Sequence, residues 1–76
     1  MQDINRLKWL CRRGTKEMDF LMEEFLENHY PSATQEIKDA FYKLLNYPDS
    51  QIMDLVFYGK TDTDLYINQI VEVLRK

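Results

Sequence analysis

Few residues in this 76-residue chain have the chemistry for catalysis. It has one cysteine, Cys11, and one histidine, His29, so a metal site would need carboxylates for most of its ligands. Arg12 and Arg13 could lower the pKa of the Cys11 thiol, but nucleophilic catalysis also needs a base and an orienting group, and neither is near in sequence. Free cysteine is usually a small buried hydrophobe, and a histidine at a helix C-terminus suits the dipole there. We therefore expect no catalytic site and no bound metal, and predict that the chain is not an enzyme.

No feature of the chain predicts a nucleotide-binding loop. The G-x-G-x-x-G and phosphate-loop patterns are both absent, and the two glycines, Gly14 and Gly59, stand far apart. A net charge of −3 and a pI near 5.0 argue against nucleic-acid binding, which requires several phosphates to be neutralised at once. The charge is nevertheless uneven, because residues 1–16 hold five basic side chains and one acidic side chain. This basic end could face an acidic patch on a protein partner.

Apolar residues recur at helical spacing in five stretches that are separated by short turns. The first two helices are predicted from about Asp3 to Arg12 and from about Lys16 to His29. The third follows a capping box that starts at Ser32, the fourth follows the turn 47–50, and the fifth is capped by Thr61 or Asp62. The predicted core positions are Ile4, Leu7, Leu10 or Cys11, Met18, Leu21, Met22, Phe25, Leu26, Ile37, Ala40, Phe41, Leu44, Leu45, Ile52, Met53, Leu55, Val56, Leu65, Ile67, Ile70, Val71 and Leu74. Strict alternation never persists, so we predict an all-α fold, a single domain over residues 1–76 built as a bundle of five short helices.

The compartment is suggested by what the sequence lacks. A lone cysteine cannot form an internal disulfide, which is typical of a reducing compartment. No apolar run approaches the ~20 residues that span a bilayer, and the N-terminal segment has no apolar stretch of the signal-peptide kind. We expect a protein without membrane insertion, cytoplasmic in a bacterium or in the mitochondrial matrix of a eukaryote.

The turn between the first two predicted helices concentrates charge around a glycine. Arg12 and Arg13 suit the negative end of the first helix, and Gly14 suits the left-handed position that follows a helix. Thr15 suits an N-cap and Glu17 the first turn of the next helix. Helix boundaries therefore explain every residue type here. Charges beside an open glycine backbone are also typical of binding loops, so both interpretations stand.

Trp9 likewise allows two interpretations. Leu7 and Cys11 already mark the buried side of its helix, and Arg6 and Lys8 lie beside it in sequence. A partly exposed tryptophan among basic residues has the composition of an interface hot spot. Tryptophan is also rarely left fully exposed, so a position at the edge of the core is the alternative.

The second predicted helix carries an acidic row, Asp19, Glu23 and Glu27, at a spacing of four residues. Like charges at this spacing repel weakly, by ~0.2–0.5 kcal/mol per pair. Such a row is most often a solvated helix face, and docking to a basic partner is the alternative.

Residues 6–19 resemble the signature of the SdhE family, the bacterial relatives of mitochondrial succinate dehydrogenase assembly factor 2. The hallmark of that family is Arg-Gly-x-x-Glu, here Arg13, Gly14 and Glu17, followed by an aliphatic residue and an aspartate, here Met18 and Asp19. The chain length, the helical pattern and the aromatic residues on both sides of the motif also fit. The resemblance therefore covers nearly the whole chain.

The resemblance implies a five-helix assembly factor that helps to mature the flavoprotein subunit of succinate dehydrogenase, and by extension that of fumarate reductase. In that role FAD becomes covalently joined to a histidine of the target, so FAD belongs to the partner and this chain would bind no cofactor firmly. On this basis we assign Arg13 and Glu17 to charge-assisted hydrogen bonds with the flavoprotein, and Gly14 to a close approach by the partner. The residues expected to flank this contact are Arg6, Lys8, Trp9, Arg12, Thr15 and Asp19.

Two questions stay open at this point. Glu17 could instead hold Arg13 within the turn and keep it rigid. The chain could also be a small helical protein-interaction regulator of the antitoxin kind, unrelated to flavinylation. The acidic balance disfavours a helix-turn-helix DNA-binding protein.

Overall fold

The computed structural model describes residues 4–75, which form five α-helices and no strand. The helices are α1 Ile4–Leu10, α2 Lys16–Asn28, α3 Gln35–Leu45, α4 Asp49–Phe57 and α5 Leu65–Leu74, with a short 3-10 helix, Tyr30–Ser32, between α2 and α3. The predicted all-α fold of five helices is confirmed. The helix α1 ends two residues before the predicted end at Arg12, and its predicted start at Asp3 lies outside the described residues. Ile4, predicted to belong to the core, is 44% exposed. Within the described part of the chain, no helix is both long enough and apolar enough to cross a membrane.

One hydrophobic core receives side chains from all five helices. The helix α3 lies within it, with Phe41 and Leu44 fully buried. The Phe41 ring also packs at a tilt against two aromatic rings from the preceding segment, Phe25 at 4.6 Å and Tyr30 at 5.9 Å between centroids. Burying one such large apolar side chain contributes about 1.5–3 kcal/mol, so this cluster helps to stabilise the bundle.

The start of α3 differs from the prediction by two residues. Thr34, not Ser32, is the N-cap, and its Oγ1 accepts a hydrogen bond from the Ile37 backbone N–H at 3.3 Å. Ser32 belongs to the 3-10 helix, and its hydroxyl donates instead to the His29 carbonyl at 3.4 Å. The predicted capping box was wrong because Pro31 fixes its own φ and directs this segment into the tighter helix first.

The start of α5 also corrects two predictions. Its N-cap is Asp64, whose Oδ1 accepts from the Tyr66 backbone N–H at 2.9 Å. The caps predicted at Thr61 and Asp62 were wrong, and Asp62 instead lies in the preceding loop and accepts from the Asp64 backbone N–H. Leu65 was predicted to be buried but is 73% exposed. It lies about 200° around the helix from the buried Ile67, at 100° per residue.

Candidate functional site

The turn between α1 and α2 is built around a glycine in the left-handed region. Gly14 has φ +94°, and a Cβ added there would meet no atom within 4 Å, so the position is open to solvent. The left-handed conformation was predicted, but its place was not. The helix α1 ends at Leu10, so Gly14 does not follow its last residue and instead directly precedes Thr15, the N-cap of α2. The Thr15 side chain makes no capping hydrogen bond and is exposed.

Asp19, in the first part of α2, holds this turn from one side. Its Oδ1 accepts hydrogen bonds from the backbone N–H groups of Arg13 and Gly14, the second at 3.2 Å. A carboxylate near a helix N-terminus is also favoured by the helix dipole. Asp19 was predicted to flank the partner contact. The structure shows it half-buried and facing the turn, where it fixes the backbone on which Gly14 lies.

The Arg13 side chain holds the same turn from the other side. Its Nε donates to Asp49 Oδ1 at 2.8 Å, and its Nη2 donates to the Tyr47 carbonyl at 2.7 Å. Its Nη1 donates to the Leu45 carbonyl at 2.7 Å and to the Leu10 carbonyl at 3.1 Å. The side chain is only 13% exposed. Carbonyls at helix C-termini lack partners within the helix, so one guanidinium joins the ends of α1 and α3 to the start of α4.

Glu17 differs from Arg13 in its surroundings. It is exposed, and its carboxylate makes no hydrogen bond or ion pair with any other residue between 4 and 75. The four guanidinium hydrogen bonds of Arg13 within this range go elsewhere, so the proposed internal pair between Glu17 and Arg13 is wrong. The motif therefore has two parts. Arg13 points into the bundle, while Gly14 and Glu17 are open to solvent.

Two large aromatic side chains are exposed on α1 and α2. Trp9 is 71% exposed, which excludes the interpretation that it lies at the edge of the core. Phe20 is 61% exposed and follows Glu17 by three residues, so the two side chains are neighbours on α2. The sequence analysis did not select Phe20. It could have been found, because Phe20 lies about 200° around the helix from the buried Met18, as an apolar residue on the polar side.

A basic residue of α1 and another in the turn that follows it lie near two acidic residues of α2. Lys8 and Arg12 line a shallow cleft together with Leu26, Glu23 and Glu27. Glu23 and Glu27 therefore have positive charges beside them, which favours a solvated face for these two residues, whereas Asp19 is half-buried and bound to the turn. Arg6 is the other basic residue of α1 that was predicted to flank the partner contact, and it is also exposed.

The two residues considered for catalysis, Cys11 and His29, take part in the packing and capping of the helices. Cys11 is fully buried in the core, as predicted for a small hydrophobe. Burial, and secondarily the charge of Glu23, raise the pKa of the Cys11 thiol from 9.0 to about 12, and the opposing effect of Arg13 is smaller. The thiolate is therefore scarce at neutral pH. His29 is the C-cap of α2, and its ring stacks on Phe25 at 5.5 Å. Between residues 4 and 75, no group of three or more His, Cys, Asp or Glu side chains could hold a metal ion.

A family model and several individual proteins match this chain, and their descriptions agree with one another. A family model described as "Flavinator of succinate dehydrogenase" matches residues 5–76. The FAD assembly factor SdhE of Coxiella burnetii is 31% identical over 71 residues, which cover 93% of this chain and 87% of that protein. The proteins of the same name from Pasteurella multocida and Haemophilus influenzae are each 32% identical over 71 residues, covering 93% of this chain and 84% of each relative. No solved structure gives a significant match.

Proposed function

This chain belongs to the family of succinate dehydrogenase flavinators, and we propose that it binds the flavoprotein subunit of succinate dehydrogenase and promotes covalent attachment of FAD to it. Membership of that family over residues 5–76 supports a chaperone-like role. The flavoprotein subunit of fumarate reductase is a second proposed target. We also propose a cytoplasmic location, since the relatives compared above are bacterial and the buried Cys11 needs no oxidising compartment.

The proposed contact is a surface that we name the corner face, defined by Trp9, Gly14, Thr15, Glu17 and Phe20. All five residues are exposed. Gly14 leaves room for a partner backbone to approach, because it has no side chain and no neighbour around its Cβ position. Glu17 has no partner among residues 4–75, so it is available for charge-assisted hydrogen bonds to donors on the flavoprotein. The open Gly14 beside this carboxylate is the observation that carries the proposal.

The residues around the corner face have two different proposed roles. The exposed basic side chains Arg6, Lys8 and Arg12 flank it and would attract an acidic surface on the flavoprotein. Arg13 and Asp19 are proposed to act from within, because their polar atoms hold the turn that carries Gly14. The aromatic rings of Trp9 and Phe20 add the kind of area that dominates many protein interfaces.

The proposed mechanism is selection of a conformation of the target. The new covalent bond forms between FAD and a histidine of the flavoprotein, so this chain need not supply a nucleophile or bind the flavin. If it binds the state in which the two reacting groups are aligned tenfold more tightly than other states, it shifts that equilibrium by about 1.4 kcal/mol. Alignment of reacting groups raises the rate by increasing their effective concentration.

Copurification tests the proposed binding. The tagged chain is expected to retain the flavoprotein subunit of succinate dehydrogenase from its own organism, and a Glu17→Gln variant is expected to retain less. The fumarate reductase subunit is tested in parallel. Failure of the wild-type chain to retain either subunit would overturn the proposal. Stable capture of a different protein, with normal flavinylation in a Glu17→Gln strain, would instead support the interaction-regulator alternative.

A further inference from the structure

We propose that Asp49, which lies outside the Arg-Gly motif at the start of α4, is a positioning residue that holds the corner face in its binding geometry through Arg13. This inference rests on the proposed function, because it concerns how the same surface is kept ready for its partner. Asp49 is 50% exposed and is not part of the corner face. Its effect on binding would therefore be exerted through Arg13.

The first step concerns charge. The Arg13 guanidinium is largely withdrawn from water, and a buried charge is costly unless it is paired and hydrogen-bonded. Three of its four hydrogen bonds within residues 4–75 go to neutral backbone carbonyls, and the fourth goes to the Asp49 carboxylate at 2.8 Å. Asp49 is therefore the anion that compensates the Arg13 cation in this part of the chain.

The second step concerns the backbone. Gly14 has no side chain and no atoms near its Cβ position, so side-chain packing does nothing to hold it in place. Its own N–H and that of Arg13 are bound by Asp19, which ties the turn to α2. The side chain of Arg13 ties the turn to the end of α3 and to the start of α4. The turn is thus held between two parts of the bundle, and loss of Asp49 weakens one of the two attachments.

The third step concerns binding. A loop that is already in its bound conformation loses less freedom on association than a mobile loop, so its complex is tighter. When Asp49 is removed, Gly14 and Thr15 gain freedom that the partner must then restrict. We expect the dissociation constant for the flavoprotein to rise by about tenfold, which corresponds to about 1.4 kcal/mol.

A simpler role for Asp49 must be separated from this one. It is the first residue of α4, where any acidic side chain is favoured by the helix dipole. Glu36 provides the matched control, because it is an exposed acidic residue in the first turn of α3 without a hydrogen-bond partner among residues 4–75. Glu36→Ala removes the same charge from the same kind of helix end but leaves the Arg13 contacts intact.

The test measures binding and local order in the same variants of the full chain. Dissociation constants are measured against the purified flavoprotein subunit of succinate dehydrogenase, and hydrogen exchange is followed at the Gly14 amide, which Asp19 protects. Asp49→Ala should weaken binding by about tenfold and speed exchange at Gly14, while amides in the middle of α3 exchange as in the wild type. Asp49→Asn keeps an acceptor for Nε and should recover part of both effects. Glu36→Ala should match the wild type.

Specific outcomes would overturn the proposal. The proposal fails if Asp49→Ala binds the flavoprotein and exchanges at Gly14 like the wild type. It also fails if the changes in Asp49→Ala are no larger than those in Glu36→Ala. If Asp49→Ala does not fold, Asp49→Asn decides, and the proposal fails unless it binds more weakly and exchanges faster at Gly14 than a Glu36→Gln variant. If the wild-type chain itself does not bind the flavoprotein, the proposed function fails. Exchange at Gly14 then still shows whether Asp49 orders the turn.

Discussion

Replacement of Gly14 by valine separates the two roles of this glycine, as a turn residue and as a contact. An L-residue in the left-handed region is strained by about 1–2 kcal/mol, and Gly14 lies there with φ +94°. No clash adds to this strain, since nothing lies within 4 Å of the new Cβ. A chain of this size has a free energy of unfolding of about 4–11 kcal/mol, so at least ~2 kcal/mol should remain. The variant should stay folded and helical.

Binding should respond more strongly than folding. The valine side chain would project from the corner face into the space that we assign to the backbone of the flavoprotein. Forcing extra methyl groups into a packed contact costs typically about 1–3 kcal/mol, or roughly 5- to 150-fold in the dissociation constant. The assay is titration of the flavoprotein subunit with the purified variant, with circular dichroism and urea unfolding of the same sample.

Gly59 supplies the matched control for this experiment. It has φ +73° and nothing within 4 Å of its Cβ position, so Gly59→Val introduces a similar strain at another open site. It lies beyond the end of α4, whose nine residues span roughly 13 Å from Asp49. Gly59→Val should bind like the wild type. Equal losses of binding in the two variants, or unfolding of Gly14→Val alone, would refute the reasoning that Gly14 is a contact.

Three further predictions concern other positions. Phe20→Ala should weaken flavoprotein binding by about tenfold with unchanged urea unfolding, while Tyr58→Ala, at a position 69% exposed on another part of the surface, should leave the titration unchanged. Burial raises the pKa of the Cys11 thiol from 9.0 to about 12, so the folded state should lose stability as pH rises from about 9 towards 12. Iodoacetamide should label Cys11 in the folded chain only as fast as the chain opens. Thr34→Ala should lower the urea-derived free energy of unfolding by about 1 kcal/mol, and Ser32→Ala by clearly less, because only Thr34 caps α3.

The helices and most of the core could be predicted from the sequence because helical spacing alone determines which positions share a face. The errors arose where the backbone changes direction. Ser32 and Thr34 are both good caps, and only the intervening 3-10 helix decides between them. Leu65 was predicted to be buried from its residue type, although its angle from Ile67 places it on the solvent side.

The candidate site was predictable in composition but not in orientation. The motif residues and the left-handed Gly14 could be identified from neighbours in the sequence. The direction of the Arg13 side chain could not, because its acceptors at Leu45, Tyr47 and Asp49 lie 32, 34 and 36 residues away. Two of them are backbone carbonyls, which any residue type would provide. A sequence pattern therefore cannot show that Arg13 serves the fold of the turn.

Covalent flavin on the flavoprotein subunit of succinate dehydrogenase tests the central claim most directly. Extracts of a strain that lacks this gene are separated on a denaturing gel, and the flavin fluorescence of the subunit is compared with that of the same strain carrying the wild-type chain. We predict that fluorescence is lost in the deletion strain, and that the wild-type chain and Gly59→Val restore it while Gly14→Val does not. Normal fluorescence in the deletion strain would contradict the account.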